Sequence, residues 1–330
     1  MSRPRRAIAV VAAGAVAALV LVLAHLFLGR SELPPGDIVR ALTGRPRLPV
    51  HEVIVLQYRL PRVLVGLGAG ALLAVSGVLV QAVVRNALAE PATTGVGAGA
   101  ALAVTGSLVL WPGHGLAYPA AMAGALATGA VLYAVGRRSL AVAGVLLGAV
   151  LSAATSLVLV VDSAPIAVVL RWLVGSLNAR TPQDWAQLWP WLAVLLPLAW
   201  LLASRLNVWA LGEPAAVGLG LRTAPFLAVV LLVAVAAAAA AIAAAGAVAF
   251  VGLVAPHVAR LVVGADHRLL VPVAATLGAV LLSLADLAAF SVSIRLPGLD
   301  TDVAGVPVGA VTALLGAPVL ISLVRKENRR

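Results

Sequence analysis

The chain has 330 residues, of which 62% are hydrophobic and 11% charged, with a mean hydropathy of +1.09. A water-soluble domain carries about 45–50% apolar and about 25% charged residues, so a soluble enzyme, a disordered chain and a secreted scaffold are excluded. Cysteine is absent, which removes disulfides, thiolate metal sites and a cysteine nucleophile. The formal charge is +11, yet Lys326 is the only lysine and the arginines punctuate apolar runs. A nucleic-acid binder needs a solvated basic face, so this charge reads as membrane topology.

The N-terminus, Met1 to Arg6, is basic, and the run from Ala7 to Leu28 is apolar. It exceeds the 7–15-residue core of a signal peptide and offers no good cleavage site, so it reads as a retained first span. Residues 29–58, with Pro34, Pro35, Pro46 and Pro49, read as an extramembrane loop. Further spans are expected at 60–84, 93–111, 118–136, 140–161, 187–204, 224–246, 248–263, 270–290 and 305–324. The fold class is therefore an all-α polytopic membrane bundle of about ten spans at ~20 residues each, forming a single transmembrane domain over 1–330.

Ten spans put both termini on one side. Arg3, Arg5 and Arg6 with Arg325, Lys326, Arg329 and Arg330 mark it as cytoplasmic by the positive-inside rule. Arg85, Arg137, Arg138, Arg205, Arg222 and Arg268 then lie inside as well, whereas Arg30, Arg40, Arg45, Arg47, Arg59 and Arg62 crowd the first outer loop and its exit. Glu32, Asp37 and Glu52 offset part of this charge, and longer loops obey the rule weakly; the alternative is an outer surface that receives an acidic partner. The second outer loop, 162–186, holds an apolar stretch at Ile166–Leu177 too short to span and expected as a surface helix; the largest inner loop is 205–223. Gly66 and Gly70, and Gly95 and Gly99, are four apart and place small residues on one helix face, where backbones approach closely. Ala234–Ala245 is almost poly-alanine and reads as a helix packed inside the bundle.

Most polar motifs have plain readings. Gly95-Val-Gly97-Ala-Gly99-Ala100 fits a dinucleotide fingerprint only formally, since the strand before it and the later acid are missing. No Walker A lysine exists, so ATP hydrolysis would fall to another chain. His257 and Arg260 lie in an apolar stretch with no second metal ligand at helical spacing, so no metal site is assigned; Pro256 frees a carbonyl about four residues back. Asp286 lies within span nine. It is either an ion- or proton-coupling carboxylate or, the preferred reading, a helix cap or partner of an arginine. Gln81, Asn86, Thr93 and Thr94 either line a path or cap helices.

Several co-linear motifs resemble the FecCD-type permeases, the membrane subunits of binding-protein-dependent ABC importers for iron–siderophores, haem and cobalamin. They are Arg59-Leu-Pro-Arg62, Gly70 to Gly77, Gln81, Asn86-Ala-Leu-Ala-Glu-Pro91, Arg171-Trp-Leu-Val-Gly-Ser176 and Leu206 to Glu213. Phe250 to Arg260, Asp266-His267-Arg268, Ala285-Asp286 and Pro307 to Pro318 continue the series. The resemblance implies two related helix sets of opposite orientation, a second permease subunit, two cytoplasmic ATPases holding ATP–Mg, and an extracytoplasmic substrate-binding protein. It implies that Arg59, supported by Arg62, docks acidic residues of that protein. It also implies that Asn86 and Leu88 form a cytoplasmic constriction near Gln81, and that Leu211, Gly212, Glu213, Gly218 and Gly220 belong to an ATPase-coupling element built as two short helices joined at glycine. The sequence departs from the pattern at Ala87, where a proline is usual, at Phe290, where an arginine is usual and Arg295 is a possible substitute, in a long 291–306 segment with Asp300 and Asp302, and in a short loop at Arg137–Ser139. The expected function is inward transport of a metal chelate without covalent chemistry in this chain; the alternative is a secondary transporter using Asp286.

Overall fold

The computed structural model describes residues 2–29, 31, 33–90, 95–135, 140–161, 166–291, 293–294, 303–304 and 306–327. Arg30, Glu32, Pro91, Thr93, Thr94, Arg137, Arg138, Ser139, Arg295, Asp300 and Asp302 lie outside them, as does the side chain of Arg171. The helices are α1 (Arg3–Phe27), α2 (Pro35–Leu42), α3 (Pro49–Glu52), α4 (Leu60–Val84), α5 (Val96–Leu110), α6 (Ala117–Val135) and α7 (Leu140–Val161). They continue with α8 (Ile166–Val174), α9 (Pro182–Ala210), α10 (Glu213–Gly218), α11 (Thr223–Ala245), α12 (Val251–Val263), α13 (His267–Ser291) and α14 (Val308–Glu327). Ser293–Ile294 pairs antiparallel with Val303–Ala304.

Among the described residues seven helices are long and apolar enough to cross a membrane, and Val96–Leu110, Val251–Val263 and Val308–Pro318 are shorter apolar helices. Together they occupy the ten expected segments. We call the side where α1 begins the terminal face and the other the far face.

The expected boundaries move in three places. Residues 29–58 are not a plain loop. α2 buries Ile38 and Ala41 against Leu26 and Val55 in a small separate core, and a π-helical segment, Val53–Arg59, runs straight into α4, so the apolar helix extends from Pro49 to Val84. α9 starts at Pro182, five residues before the expected 187, because Thr181 and Asp184 form a reciprocal capping box around a proline in the first turn. α9 also continues to Ala210, which leaves residues 211–222 as the inner connection.

The core sits on α4 and α11. In α11 every residue from Val233 to Ala245 is buried, so the poly-alanine run is packed inside as its weak hydrophobicity suggests. Small residues set the distances. A Cβ at Gly77 would overlap the carbonyl of Gly252 in α12, one at Gly70 the carbonyl of Gly278 in α13, and one at Gly124 the carbonyl of Gly99. Gly70 and Gly99 therefore act as expected, whereas Gly95 stands outside α5 as its N-cap in the left-handed region (φ 72°).

The link from α11 to α12, Gly246–Phe250, enters the bundle instead of staying at its rim, since α12 begins beside Gly77 and Gln81 of α4. Irregular backbone at such depth survives only when protein satisfies it. The end of α8 does so: Ala247 N donates to Trp172 O (2.8 Å), Ser176 N to Ala245 O (2.9 Å) and Gly309 N to Gly175 O (3.1 Å). α8 is the short helix that was expected there; it buries Val169 and Trp172 against the bundle and leaves Leu170, Leu173 and Val174 exposed. Gly77→Val should force α4 from α12 and cost about 1–3 kcal/mol, the range for overpacking. A thermal denaturation midpoint in detergent equal to the parent's would refute this close packing.

Candidate functional site

At the far face three helices meet on one carboxylate. Arg62 of α4 makes a two-pronged pair with Asp286 of α13, Nε to Oδ2 at 2.7 Å and Nη2 to Oδ1 at 2.8 Å. His25 of α1 places Nε2 3.2 Å from Asp286 Oδ2 and Nδ1 2.9 Å from Leu21 O. The Arg62 guanidinium also lies 4.5 Å from the Phe290 ring centroid, so the residue that replaces the usual arginine forms an apolar plate under Arg62. Asp286 is 1% exposed.

Arg59 is committed too. Its Nη1 donates to Leu26 O at the end of α1, and Nη2 to Ser31 O (2.7 Å) and Oγ (3.0 Å). The residue is 8% exposed. It meets orphan carbonyls and the negative end of a helix. Arg59 and Arg62, expected to dock a binding protein, each bond acceptors of the same chain in this structure. Arg40, Arg45 and Arg47 are the exposed cations of this segment.

In the bundle, Pro256 lacks the N–H that would bond Gly252 O, and Gln81 Nε2 approaches that carbonyl at 3.4 Å while Gln81 Oε1 stays without a partner. Gln81 thus serves the α12 backbone. His257 and Arg260 sit half-buried on α12, and no group of three metal-binding side chains occurs among the described residues. Nearby lies a cavity of about 360 Å³ lined by Gly95, Gly97, Gly148, Ala247, Gly252 and Glu90. Burial pushes the Glu90 carboxyl up to about 7, against a hydrogen bond from the Phe250 backbone that lowers it.

The terminal face carries two further clusters. Asn86 is exposed and its Oδ1 accepts from Leu88 N at 2.8 Å, closing a tight turn with Leu88 half-buried. The connection after α9 turns at Gly212 (φ 108°) and Gly220 (φ 82°). It holds one short helix, α10, in place of the two joined at glycine that were expected; Gly218 is its last residue and has open space around it. Glu213 is exposed in its first turn, Ala216 is buried beneath, and Leu211, Val217 and Leu219 are 66%, 56% and 65% exposed.

Beside it lies a cluster that sequence reasoning missed. Asn207 Nδ2 donates to Asp266 Oδ1 (2.7 Å), and Asn207 Oδ1 accepts from His267 N (2.9 Å). Arg268 Nε donates to Ser204 Oγ (2.8 Å), and Trp200 Nε1 donates to Arg268 O (3.2 Å), the carbonyl freed by Pro272. The hydrogen bond from Asn207 holds the Asp266 carboxyl below its ordinary range, against the penalty of burial. The signal was available as Asp266-His267-Arg268 before a span and Asn207 near the end of another, but only the fold brings them together.

A helical bundle with ten apolar segments, paired interior charges and a cavity between its helices is the architecture of a polytopic membrane protein. The chain matches the FecCD transport family over residues 17–326 and belongs to that family. It is 33% identical to the Fe(3+)-citrate import system permease protein YfmE of Bacillus subtilis (strain 168), over 99% of this chain and 97% of that one. It is 35% identical to the vitamin B12 import system permease protein BtuC of Salmonella typhi, over 94% and 93%. A solved inward-facing conformation of a metal-chelate type ABC transporter superposes with a TM-score of 0.82 at 28% identity, covering 96% of this chain and 98% of that one. The chain is a permease subunit of an ABC importer, and its relatives are transport proteins, not enzymes.

Asp286→Ala strands Arg62 in the interior and should cost about 3–5 kcal/mol, whereas Arg62→Met combined with Asp286→Leu should recover most of that loss. Thermal denaturation in detergent checks both, and a double variant no better than the single would refute the pairing. Asp266 has a depressed folded-state pKa, so its stabilisation is complete above the unfolded carboxyl value, about 3.9, and is lost as pH falls through the folded value. Asp266→Asn removes that titration, so the stability gap between parent and variant should narrow below about pH 4. A gap that stays constant on acidification would refute the assignment.

Proposed function

We propose that this chain imports a metal chelate of the iron–siderophore class, with haem and cobalamin as the neighbouring substrate types, by ATP-driven alternating access. The termini face the cytoplasm in this reading, as the arginine distribution favours, so α10 and the Asn86–Leu88 turn are cytoplasmic and α2 is outside. The chain pairs with a second permease subunit, takes ATP–Mg only through two separate ATPases, and receives its cargo from an extracytoplasmic binding protein.

The observation that carries the proposal is the projection Leu211–Gly220. Three large apolar side chains and Glu213 stand exposed on an element whose single buried foot is Ala216. Exposed apolar side chains clustered around a charge mark a surface made to be covered, and a short helix laid in a partner's groove is a recurrent mode of recognition. On the outer side, exposed Arg40, Arg45 and Arg47 supply the positive field that an acidic binding protein requires. The similarity to Fe(3+)-citrate and vitamin B12 permeases supports the chelate class. The cavity beside α12 suits a passage that holds cargo weakly, being lined by glycine, alanine and larger apolar residues with few polar groups.

The secondary-transporter reading has lost its footing. A coupling carboxylate must exchange its proton or ion with water, and Asp286 is buried in a two-pronged pair with Arg62.

Reconstituted alone in vesicles, the chain should accumulate no ferric siderophore; with its ATPases and binding protein it should accumulate it only when ATP is present. Uphill loading by the isolated chain would sink the proposal. Glu213→Arg should reduce recovery of the ATPase in co-purification, and undiminished recovery with full transport would remove Leu211–Gly220 from the coupling role.

A further inference from the structure

Arg85 ends α4 in the left-handed region, at φ 55°, a conformation in which a side chain with a Cβ is disfavoured and glycine is at ease. The arginine side chain accounts for its presence there. Its guanidinium lies 3.9 Å from the ring centroid of Trp209, and Nη2 donates to Trp209 O at 3.3 Å. Trp209 is 1% exposed and donates Nε1–H to Ala82 O at 3.0 Å, one of the carbonyls left over at the end of α4. Two side chains thus clasp the last turn of α4 to the last turn of α9 through a ring contact and two hydrogen bonds.

The segments that α4 and α9 lead into give the clasp its meaning. Beyond Trp209 the chain turns at Gly212 into α10, the exposed element of the terminal face, which packs chiefly against α9 and α11. Beyond Arg85 come Asn86 and Leu88 in their side-chain-closed turn. Five residues beyond Arg85, Glu90 is 5% exposed and bonded to the Phe250 backbone at the start of α12. The turn is therefore strung between two fixed points, one on the helix that carries α10 and one on the helix beside the cavity.

We propose that the Arg85–Trp209 clasp is the link by which displacement of α10 is passed to the Asn86–Leu88 turn, with Arg85 and Trp209 acting as positioning residues. The proposal rests on the reading of α10 as the ATPase-bound element. A cation held over a buried indole and tied to its backbone oxygen transmits both pull and rotation, which apolar packing alone does not.

Arg85→Gly tests it, because glycine accepts the left-handed backbone and removes the ring contact and the Arg85–Trp209 hydrogen bond; Trp209→Phe, which removes the remaining bond to Ala82 O, is combined with it to open the clasp fully. The chain has no cysteine of its own, so Ala87→Cys supplies a single thiol on the turn, whose maleimide labelling rate can be followed in the assembled importer with and without ATP. In the Ala87→Cys parent, labelling should change with nucleotide. With Arg85→Gly and Trp209→Phe added, that change should vanish while the ATPase still co-purifies and hydrolyses ATP. Uptake per ATP should fall about tenfold, the scale of a lost cation–π contact with its hydrogen bond. Arg85→Lys, which restores a cation over the ring, should recover part of both. Arg85→Gly with Trp209→Phe that keeps the labelling change and the parent's uptake per ATP would overturn the clasp. A parent with no nucleotide response, or with no ATPase bound, would instead overturn the reading of α10 and the clasp with it.

Discussion

Every backbone hydrogen-bonding group inside a bilayer has to be satisfied by the protein itself, and the polar side chains of this permease are placed where the helices fail to do so. Pro256 frees the Gly252 carbonyl, and Gln81 approaches it. Pro272 frees the Arg268 carbonyl, and Trp200 donates to it. α1 ends with Leu26 O open, and Arg59 donates to it; α4 ends with Ala82 O open, and Trp209 donates to it. Where α11 breaks before α12, the end of α8 supplies backbone partners. In each case a side chain or segment from another helix completes the ladder, so the same bonds that satisfy the backbone also fix which helices are neighbours.

This economy decides what the charged residues are available for. A cation near a helix end has a choice between an outside partner and an orphan carbonyl or buried carboxylate. Arg59 and Arg62 take the inside option, and Asp286 with His25 completes a tie between α1, α4 and α13. Breaking one partner of such a group costs more than the intact group contributes, which makes these positions intolerant of change for reasons unrelated to transport. Arg40, Arg45 and Arg47 have exposed side chains on a segment held by its own small core, and they carry the far face's positive charge outward.

The ten apolar segments were legible because hydropathy and length report membrane solvation directly. The buried poly-alanine helix was legible because its weak hydrophobicity has no use against lipid. The Pro256 carbonyl was foreseen, but not the glutamine that approaches it. The extension of the second span back to Pro49 was hidden by prolines, which stand in the first turn of α2 and α3 where their missing N–H costs nothing. The direction of Arg59 and Arg62 was illegible for a different reason: periodicity places a residue on a helix face but does not say that Leu26 O or Asp286 waits there. The same holds for Asn207 with Asp266, whose partnership spans 59 residues of sequence.

The two faces are built on different principles, and that asymmetry bears on how the bundle moves. At the far face a buried charge group locks three helices, two of which, α4 and α13, are already held by Gly70 against Gly278 at the shortest separation the backbone allows. Close-packed contacts of this kind do not deform by degrees; they persist or are replaced by another discrete arrangement. At the terminal face the described ties sit at helix ends, and the glycines Gly212 and Gly220 stand in positive-φ conformations beside an exposed helix. The joint at α10 is therefore the pliable part of the bundle and the far-face group the rigid part. In the reading proposed above, a conduit worked by partners at one face needs its hinges at that face and its anchor at the other, and this distribution of glycines and hydrogen bonds is of that kind.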